Sequence, residues 1–68
     1  MKVEYDRQAD AMYIRLAEGE VADSDEVRDG VIFDLDAAGR VLGIEILDVS
    51  RRTDVPLGVE FEALGAVA

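Results

Sequence analysis

The feature that most constrains the fold is the stretch at residues 31–50, VIFDLDAAGRVLGIEILDVS, in which two apolar runs flank a glycine-containing turn. The runs at residues 31–36 and 41–47 are rich in β-branched and aromatic residues, so they predict two strands joined by a short loop. Gly39 is expected at positive φ in that loop, because glycine takes this conformation without a Cβ clash. The stretch therefore predicts a β-hairpin around which the rest of the chain is organised.

A register without insertions sets Asp36 opposite Arg40 and fixes which side chains share a face. In this register Phe33 lies over the bare backbone of Gly43. One face carries Val31, Phe33, Leu35 and Val41, and the other carries Ile32, Leu42, Ile44 and Ile46. Because both faces are apolar, we expect the hairpin to be central in its sheet or covered on both sides.

The length of 68 residues predicts one domain, residues 1–68, with a small core. Apolar burial and the entropic cost of ordering the chain nearly cancel at this size. Disulfides and zinc sites built from cysteine and histidine are excluded, since the chain contains neither residue. We expect a homodimer, because self-association is the remaining way to add buried area.

The chain is acidic, with 16 acidic and 7 basic residues and a formal charge of −9. Such a chain repels phosphate backbones, and its only adjacent basic pair is Arg51-Arg52, so we expect no direct nucleic-acid binding by the chain alone. A basic protein partner fits the charge better, although acidity also keeps a small protein soluble. The first residues alternate as a strand and show no signal peptide, membrane span or lipidation motif, which predicts a cytoplasmic protein without membrane contact.

Period-two alternation predicts further strands on the N-terminal side of the hairpin. Residues 2–6 and 11–16 predict a first hairpin, and the acidic segment at residues 21–27 suits an edge strand, whose carboxylates discourage pairing with other sheets. An Asp29-Gly30 turn then leads into the central hairpin. The sequence thus predicts a mainly β fold, a single antiparallel β-meander of about five strands, with an α+β fold as the alternative.

Residues 51–68 form a C-terminal tail in which the alternation is lost. Residues 48–53 are typical of a turn or a short helical piece. Leu57, Phe61 and Leu64 have helical spacing, whereas Val59 with Phe61 also suits an extended strand. We expect a short helical or irregular tail that covers the second face of the sheet or packs on a partner.

Several short motifs in residues 1–50 occur in the order and at the spacing of one known family. They are YD at 5–6, ADAMYI at 9–14, DGV at 29–31, DLD at 34–36 with Gly39, and GIEILD at 43–48 with Ser50. In these residues the chain resembles the small bacterial and archaeal proteins grouped as domain of unknown function 2283. The family has no established activity, and the small toxin-like proteins encoded beside some relatives imply an antitoxin-like, partner-binding role by association. Val49 stands where many relatives carry alanine, and the residues after Thr53 follow no family pattern.

Enzymatic activity is not expected, because Ser-His-Asp and Cys-His arrangements need residues that the chain lacks. The carboxylates available for acid–base work in the resembling motifs are Asp34, Asp36, Glu45 and Asp48. Asp34 and Glu45 point to opposite faces in the register above, and turn-forming or edge-protecting roles explain most of these acids. No catalytic, cofactor or metal site is predicted, because the acids at residues 23–26 and at Asp6 and Asp10 lack the spacing of a known calcium loop.

Two functions from different classes remain open. The first is an acidic protein-interaction module, such as the antitoxin-like partner of a basic toxin-like protein. The alternative is a small-molecule or metal-binding protein with a site at a dimer interface lined by Tyr13, Asp34 and Glu45, where Glu45 needs a hydrogen bond or a cation if it is buried. DNA-binding autoregulation through Arg51 and Arg52 is disfavoured by the acidity. The residues expected at an interaction surface are Tyr13, Asp34, Glu45, Asp48, Arg51 and Arg52.

Overall fold

Five strands and one 3-10 turn form the regular structure of the computed structural model, which describes residues 1–65. The strands are β1 (Lys2–Asp6), β2 (Ala11–Arg15), β3 (Asp23–Arg28), β4 (Val31–Leu35) and β5 (Val41–Ile46), and the 3-10 turn is Val49–Arg51. Every pair of neighbouring strands is antiparallel, in a single sheet. The predicted mainly β class with five antiparallel strands is confirmed. Within residues 1–65 no helix is long and apolar enough to cross a membrane.

The order of strands across the sheet is β1-β2-β5-β4-β3. A meander would place β2 beside β3, so this part of the prediction is wrong. Instead β5 inserts between β2 and β4, which sets Ile44 between Ile14 and Phe33. Apolar cross-strand contacts on both sides of β5 stabilise this order. The charged strand β3 is left at the edge of the sheet, as its composition predicts.

The turn of the central hairpin is confirmed. Gly39 has φ 81°, and its N–H donates to the carbonyl of Asp36 at 3.0 Å. The Asp36 carboxylate accepts from the N–H groups of Ala38 and Arg40, at 2.9 and 2.8 Å. These bonds fix the loop from inside, so the hairpin closes where the sequence predicts.

A β-bulge at Leu42 shifts the register of the central hairpin. Leu35 pairs with Val41, as the register without insertions requires, but Gly43 pairs with Asp34. The prediction that Phe33 lies over Gly43 is wrong, because Phe33 pairs with Ile44. Every pair beyond the bulge is therefore displaced by one residue along β5, and a displacement by one exchanges the faces of the strand. The prediction that both faces of the hairpin are apolar is wrong for this reason.

The shifted register gives the sheet one apolar face and one polar face. The apolar face consists of two rows that each cross four strands. The rows are Tyr5, Met12, Ile46 and Val31, and Val3, Ile14, Ile44 and Phe33. Each of these eight side chains is half-buried or exposed. The face is thus assembled by the register but has no second layer on it within residues 1–65.

The buried core is minimal. Among the hydrophobic residues described, Leu42 and Val49 are buried, with 3% and 4% of their surface exposed. Val49 belongs to the 3-10 turn, which closes one end of the sheet through a hydrogen bond from its N–H to the carbonyl of Asp10 at 3.1 Å. The turn or short helical piece predicted for residues 48–53 is present.

The C-terminal tail does not cover the sheet. Residues 52–65 contain no helix or strand, and the largest side chains of this segment lie mostly in solvent, with 59% of Leu57, 85% of Phe61 and 84% of Leu64 exposed. The tail is irregular, and the expectation that it covers a face of its own sheet is wrong for the described residues. Residues 66–68 of the predicted tail lie outside them.

Candidate functional site

The polar face of the sheet carries three of the six residues predicted at an interaction surface. Two rows of side chains cross all five strands on this face. The rows are Glu4, Tyr13, Glu45, Ile32 and Glu26, and Lys2, Arg15, Gly43, Asp34 and Ser24. Four of these ten residues are acidic and two are basic, so negative charge predominates. This surface is the candidate functional site.

Tyr13 is the central residue of the polar face. Its ring lies across β5 at Gly43, where a Cβ atom would overlap the phenol, and its hydroxyl donates to Asp34 on β4 at 2.8 Å. The Ser24 hydroxyl on β3 donates to the other carboxylate oxygen of Asp34 at 2.7 Å. Desolvation and, after it, the hydrogen bond to Asp34 raise the pKa of the Tyr13 hydroxyl above its ordinary value of 10.0. Tyr13 is therefore held as a neutral donor.

A shallow hollow of about 470 Å³ lies beside Tyr13. Arg15 places its guanidinium carbon 5.5 Å from the centre of the Tyr13 ring, a cation–π contact. Glu45 and Asp34 also line the hollow. Glu4 and Asp6 line it as well, so a surface of one aromatic ring, one guanidinium and four carboxylates can recognise a partner by charge and by stacking.

The structure brings together three of the predicted residues, Tyr13, Asp34 and Glu45. Glu45 pairs with Tyr13 on one side and with Ile32 on the other, so it lies in the middle of the sheet and is half-buried. The register without insertions would pair Glu45 with Val31 near a strand end, which is wrong, and so is the prediction that Asp34 and Glu45 point to opposite faces. Both errors follow from the bulge in β5, which places the two carboxylates on the same face.

The other three predicted residues lie at the end of the sheet, around the 3-10 turn. Asp48 has φ 53° and makes no capping hydrogen bond with its side chain. Arg52 donates from Nε to the carbonyl of Leu47 and from Nη2 to the carbonyl of Asp29, each at 2.8 Å. Its guanidinium thus ties the end of β5 to the turn before β4. The geometry gives Arg52 a structural role, while Arg51 is exposed beside it.

A second polar cluster, formed by Tyr5, Asp10 and Ser50, was not predicted as a site. The Ser50 hydroxyl donates to Asp10 at 2.6 Å, and the Tyr5 hydroxyl donates to the same carboxylate at 2.6 Å. The hydrogen bond from the Ser50 side chain has the larger effect and that from Tyr5 the next, and both lower the pKa of the Asp10 carboxyl below its ordinary value of 3.8. The cluster links the first hairpin to the 3-10 turn. The left-handed φ of 51° at Asp10 marks a specialised turn, but local sequence could not pair it with a serine 40 residues away.

Oxygen ligands for a cation are not assembled on this surface. In the part of the chain that the structure describes, no group of three or more acidic side chains is close enough to hold a metal ion. The acids at residues 23–26 alternate along the edge strand β3, so neighbouring carboxylates point to opposite sides of the sheet.

The fold and the polar face define a small antiparallel β protein with a single-layer sheet, an acid-rich face and neither histidine nor cysteine. The chain belongs to the family described as protein of unknown function (DUF2283), whose model matches residues 2–50. The match spans all five strands and ends at Ser50, whose hydroxyl binds Asp10. The resemblance seen in the sequence is thus confirmed. No curated protein and no solved structure matches the chain.

Proposed function

We propose that the protein is a small acidic interaction module that works as a homodimer and binds a basic protein through the polar face of its sheet. An antitoxin-like partner of a basic toxin-like protein is a module of this kind. The observation that carries the proposal is the row of acids on an open, flat face, namely Glu4, Glu45 and Glu26, with Asp34 in the neighbouring row.

The negative charge of this face is only partly compensated, because its two rows hold four acids against the two basic residues Lys2 and Arg15. Between residues 1 and 65 two ion pairs form, Lys2 with Glu4 at 3.8 Å and Arg40 with Asp36 at 2.7 Å. The first joins two exposed side chains at the edge of the sheet, and the second belongs to the hairpin turn. Glu45 and Glu26 belong to neither ion pair, so their carboxylates can attract a basic surface and steer its approach. A cytoplasmic location agrees with such a role and is part of the proposal.

An affinity experiment with the tagged chain in an extract of its native host tests the proposal. A Glu4→Gln/Glu45→Gln variant removes two charges from the polar face, and a Glu60→Gln/Glu62→Gln variant removes two from the tail as a matched control. We expect the wild type and the control to retain a basic protein that the polar-face variant retains several-fold less. Binding should weaken in about 0.5 M salt, where the screening length falls to roughly 4 Å.

Two results would count against the interaction module. In the first, every variant is recovered with no other protein, which removes the partner. In the second, a partner binds the polar-face variant and the tail variant equally well, which places its binding site elsewhere on the surface.

The second candidate function is the binding of a cationic small molecule in the hollow beside Tyr13. It is favoured by one observation, that Tyr13, Asp34 and Glu45 line the same hollow of about 470 Å³. The hollow lies on the polar face, so a ligand there does not require the dimer interface predicted from the sequence. A thermal-shift screen against metals and metabolites tests it, with Asp34→Asn as the control that should abolish a genuine shift. A screen without any shift leaves this candidate unsupported.

A further inference from the structure

The apolar face is a surface without a cover. Its two rows place seven apolar side chains and the ring of Tyr5 side by side across β1, β2, β5 and β4. None of them is buried, and Val3 keeps 44% of its surface exposed. A sheet buries its hydrophobic face against a second layer in stable domains, since a single layer gains too little from burial to offset the entropy of ordering the chain. The structure therefore shows a single layer whose apolar face is open within residues 1–65.

The chain exposes more surface than a compact monomer of its mass. The chain exposes 5485 Å², whereas a folded monomer of its mass exposes about 4,200 Å². The surplus of roughly 1,300 Å² lies in the apolar face and the extended tail. A stable interface of standard size takes about 800 Å² from each partner. The apolar face and the tail together thus leave more surface in solvent than a compact monomer does, by an amount of the order that one partner buries in a stable interface.

The tail does not supply the missing layer. Its apolar side chains at Leu57, Val59 and Phe61 point mostly into solvent. The family match at residues 2–50 contains the whole apolar face and stops before the tail. Residues 2–50, which the family model matches, contain the apolar face but no segment that covers it. A second copy of the same sheet is therefore the cover that these residues themselves can supply.

The distribution of charged side chains over the two faces of the sheet also favours a second copy of the chain as the cover. The acids of the central strands, Asp34 and Glu45, lie on the polar face. The charges on the apolar side lie at its margins, at Asp25 and Arg28 on the edge strand β3 and at Asp10, whose carboxylate accepts from the Tyr5 hydroxyl. Two sheets packed face to face lie about 10 Å apart, so the two acid-rich faces end up on opposite outer surfaces. Their separation then exceeds the screening length of about 8 Å at physiological salt.

We infer that two copies of this chain pack apolar face against apolar face into a symmetric β-sandwich. The interface is the same patch on both copies, with the central residue Ile44 near the symmetry axis. This inference specifies the interface of the proposed homodimer. The homodimer is the only part of the proposed function on which it rests. A consequence is that the dimer presents two identical polar faces, one on each outer surface, and so has two equivalent sites for a partner.

Single cysteines test the arrangement, because the chain has no cysteine of its own. Ile44→Cys places a thiol on the apolar face, and Glu45→Cys places one on the polar face of the same strand. The rate of alkylation by N-ethylmaleimide is measured over a range of concentrations of the folded protein. We expect the thiol of the Ile44→Cys variant to react at least tenfold more slowly in concentrated than in dilute protein. The thiol of the Glu45→Cys variant should react at one rate throughout.

A second pair guards against a variant that weakens the dimer. Met12→Cys is a mild change on the apolar face, and Ala11→Cys is its neighbour on the polar face of β2. Equal rates for both members of both pairs at every concentration would overturn the sandwich, and so would protection of the polar-face thiols instead. Loss of protection when residues 54–68 are removed would also overturn it, since the tail would then be the cover. None of these outcomes depends on binding of a basic protein, so the sandwich and the proposed function can fail separately.

Discussion

The Tyr13 side chain reaches across Gly43 to bind Asp34, which lies two strands away. The hydroxyl of Tyr13 can span β5 only because residue 43 has no side chain. One glycine in the middle strand thus decides whether the polar face is a connected surface. It also explains why a glycine is tolerated in the middle of a strand, where it otherwise weakens the sheet.

Replacement of Gly43 by alanine should displace the Tyr13 ring and break its hydrogen bond to Asp34. Forcing a methyl group into an occupied site costs roughly 1–3 kcal/mol, and we expect a loss of that size in the free energy of unfolding measured with urea. In a double-mutant cycle with Tyr13→Ala, the double variant should lose clearly less free energy of unfolding than the two single variants lose when their losses are added. Additive losses would show that the ring does not lie over Gly43.

Replacement of Gly39 by valine should destabilise the central hairpin through the backbone alone. Gly39 has φ 81° and no heavy atom within 4 Å of the position of a Cβ atom, so no clash with a neighbour contributes. The left-handed conformation costs a β-branched residue about 1–2 kcal/mol, and asparagine adopts it more readily. Thermal unfolding should rank the wild type above Gly39→Asn and Gly39→Asn above Gly39→Val. Equal melting temperatures for the two variants would contradict a left-handed residue 39.

The adjacent arginines should differ in their effect on stability. Arg52→Ala removes two hydrogen bonds to the carbonyls of Leu47 and Asp29, and we expect a loss of about 1 kcal/mol. Arg51→Ala removes the same charge next to it and should change the free energy of unfolding by less than about 0.5 kcal/mol. Denaturant titration of the two variants measures both values. An equal loss in both would mean that net charge, and not the bonds of Arg52, matters.

Acid should destabilise the fold through Asp10 and Asp36. Hydrogen bonds from Ser50 lower the pKa of Asp10, and those from the backbone of Arg40 lower the pKa of Asp36, both from an ordinary value of 3.8. A lowered pKa in the folded state contributes stability that is complete above the unfolded value and is lost as the pH falls through the folded one. We therefore expect the free energy of unfolding to fall as the pH drops below about 4.

Two substitutions assign this acid dependence to its source. Asp10→Asn and Asp36→Asn should each be less stable than the wild type at pH 7 and should each lose less stability on acidification. Glu60→Gln in the tail serves as the control and should retain the full dependence on pH. An acid dependence that is unchanged in both aspartate variants would contradict the assignment.

Local sequence was sufficient to locate the strands but not to arrange them. Alternation located the first hairpin, and Gly39 located the central turn, because both signals depend on neighbouring residues. The bulge at Leu42 was missed although Gly43 follows it directly, and a glycine inside a strand often marks a bulge. That single insertion moved Asp34 and Glu45 onto one face, where the sequence had placed them on opposite faces. The pairing of β2 with β5 and the bond from Ser50 to Asp10 join distant segments, which period and propensity do not encode.

Sedimentation velocity of the full chain over a wide range of concentrations tests most directly whether the apolar face is covered by a second copy. We predict a single folded species of twice the 7.4 kDa chain mass at high concentration, which loses its β-sheet circular dichroism as dilution dissociates it. A species of 7.4 kDa that keeps its full β-sheet spectrum at every concentration would show that the single layer is stable alone, and would contradict the paired sheets.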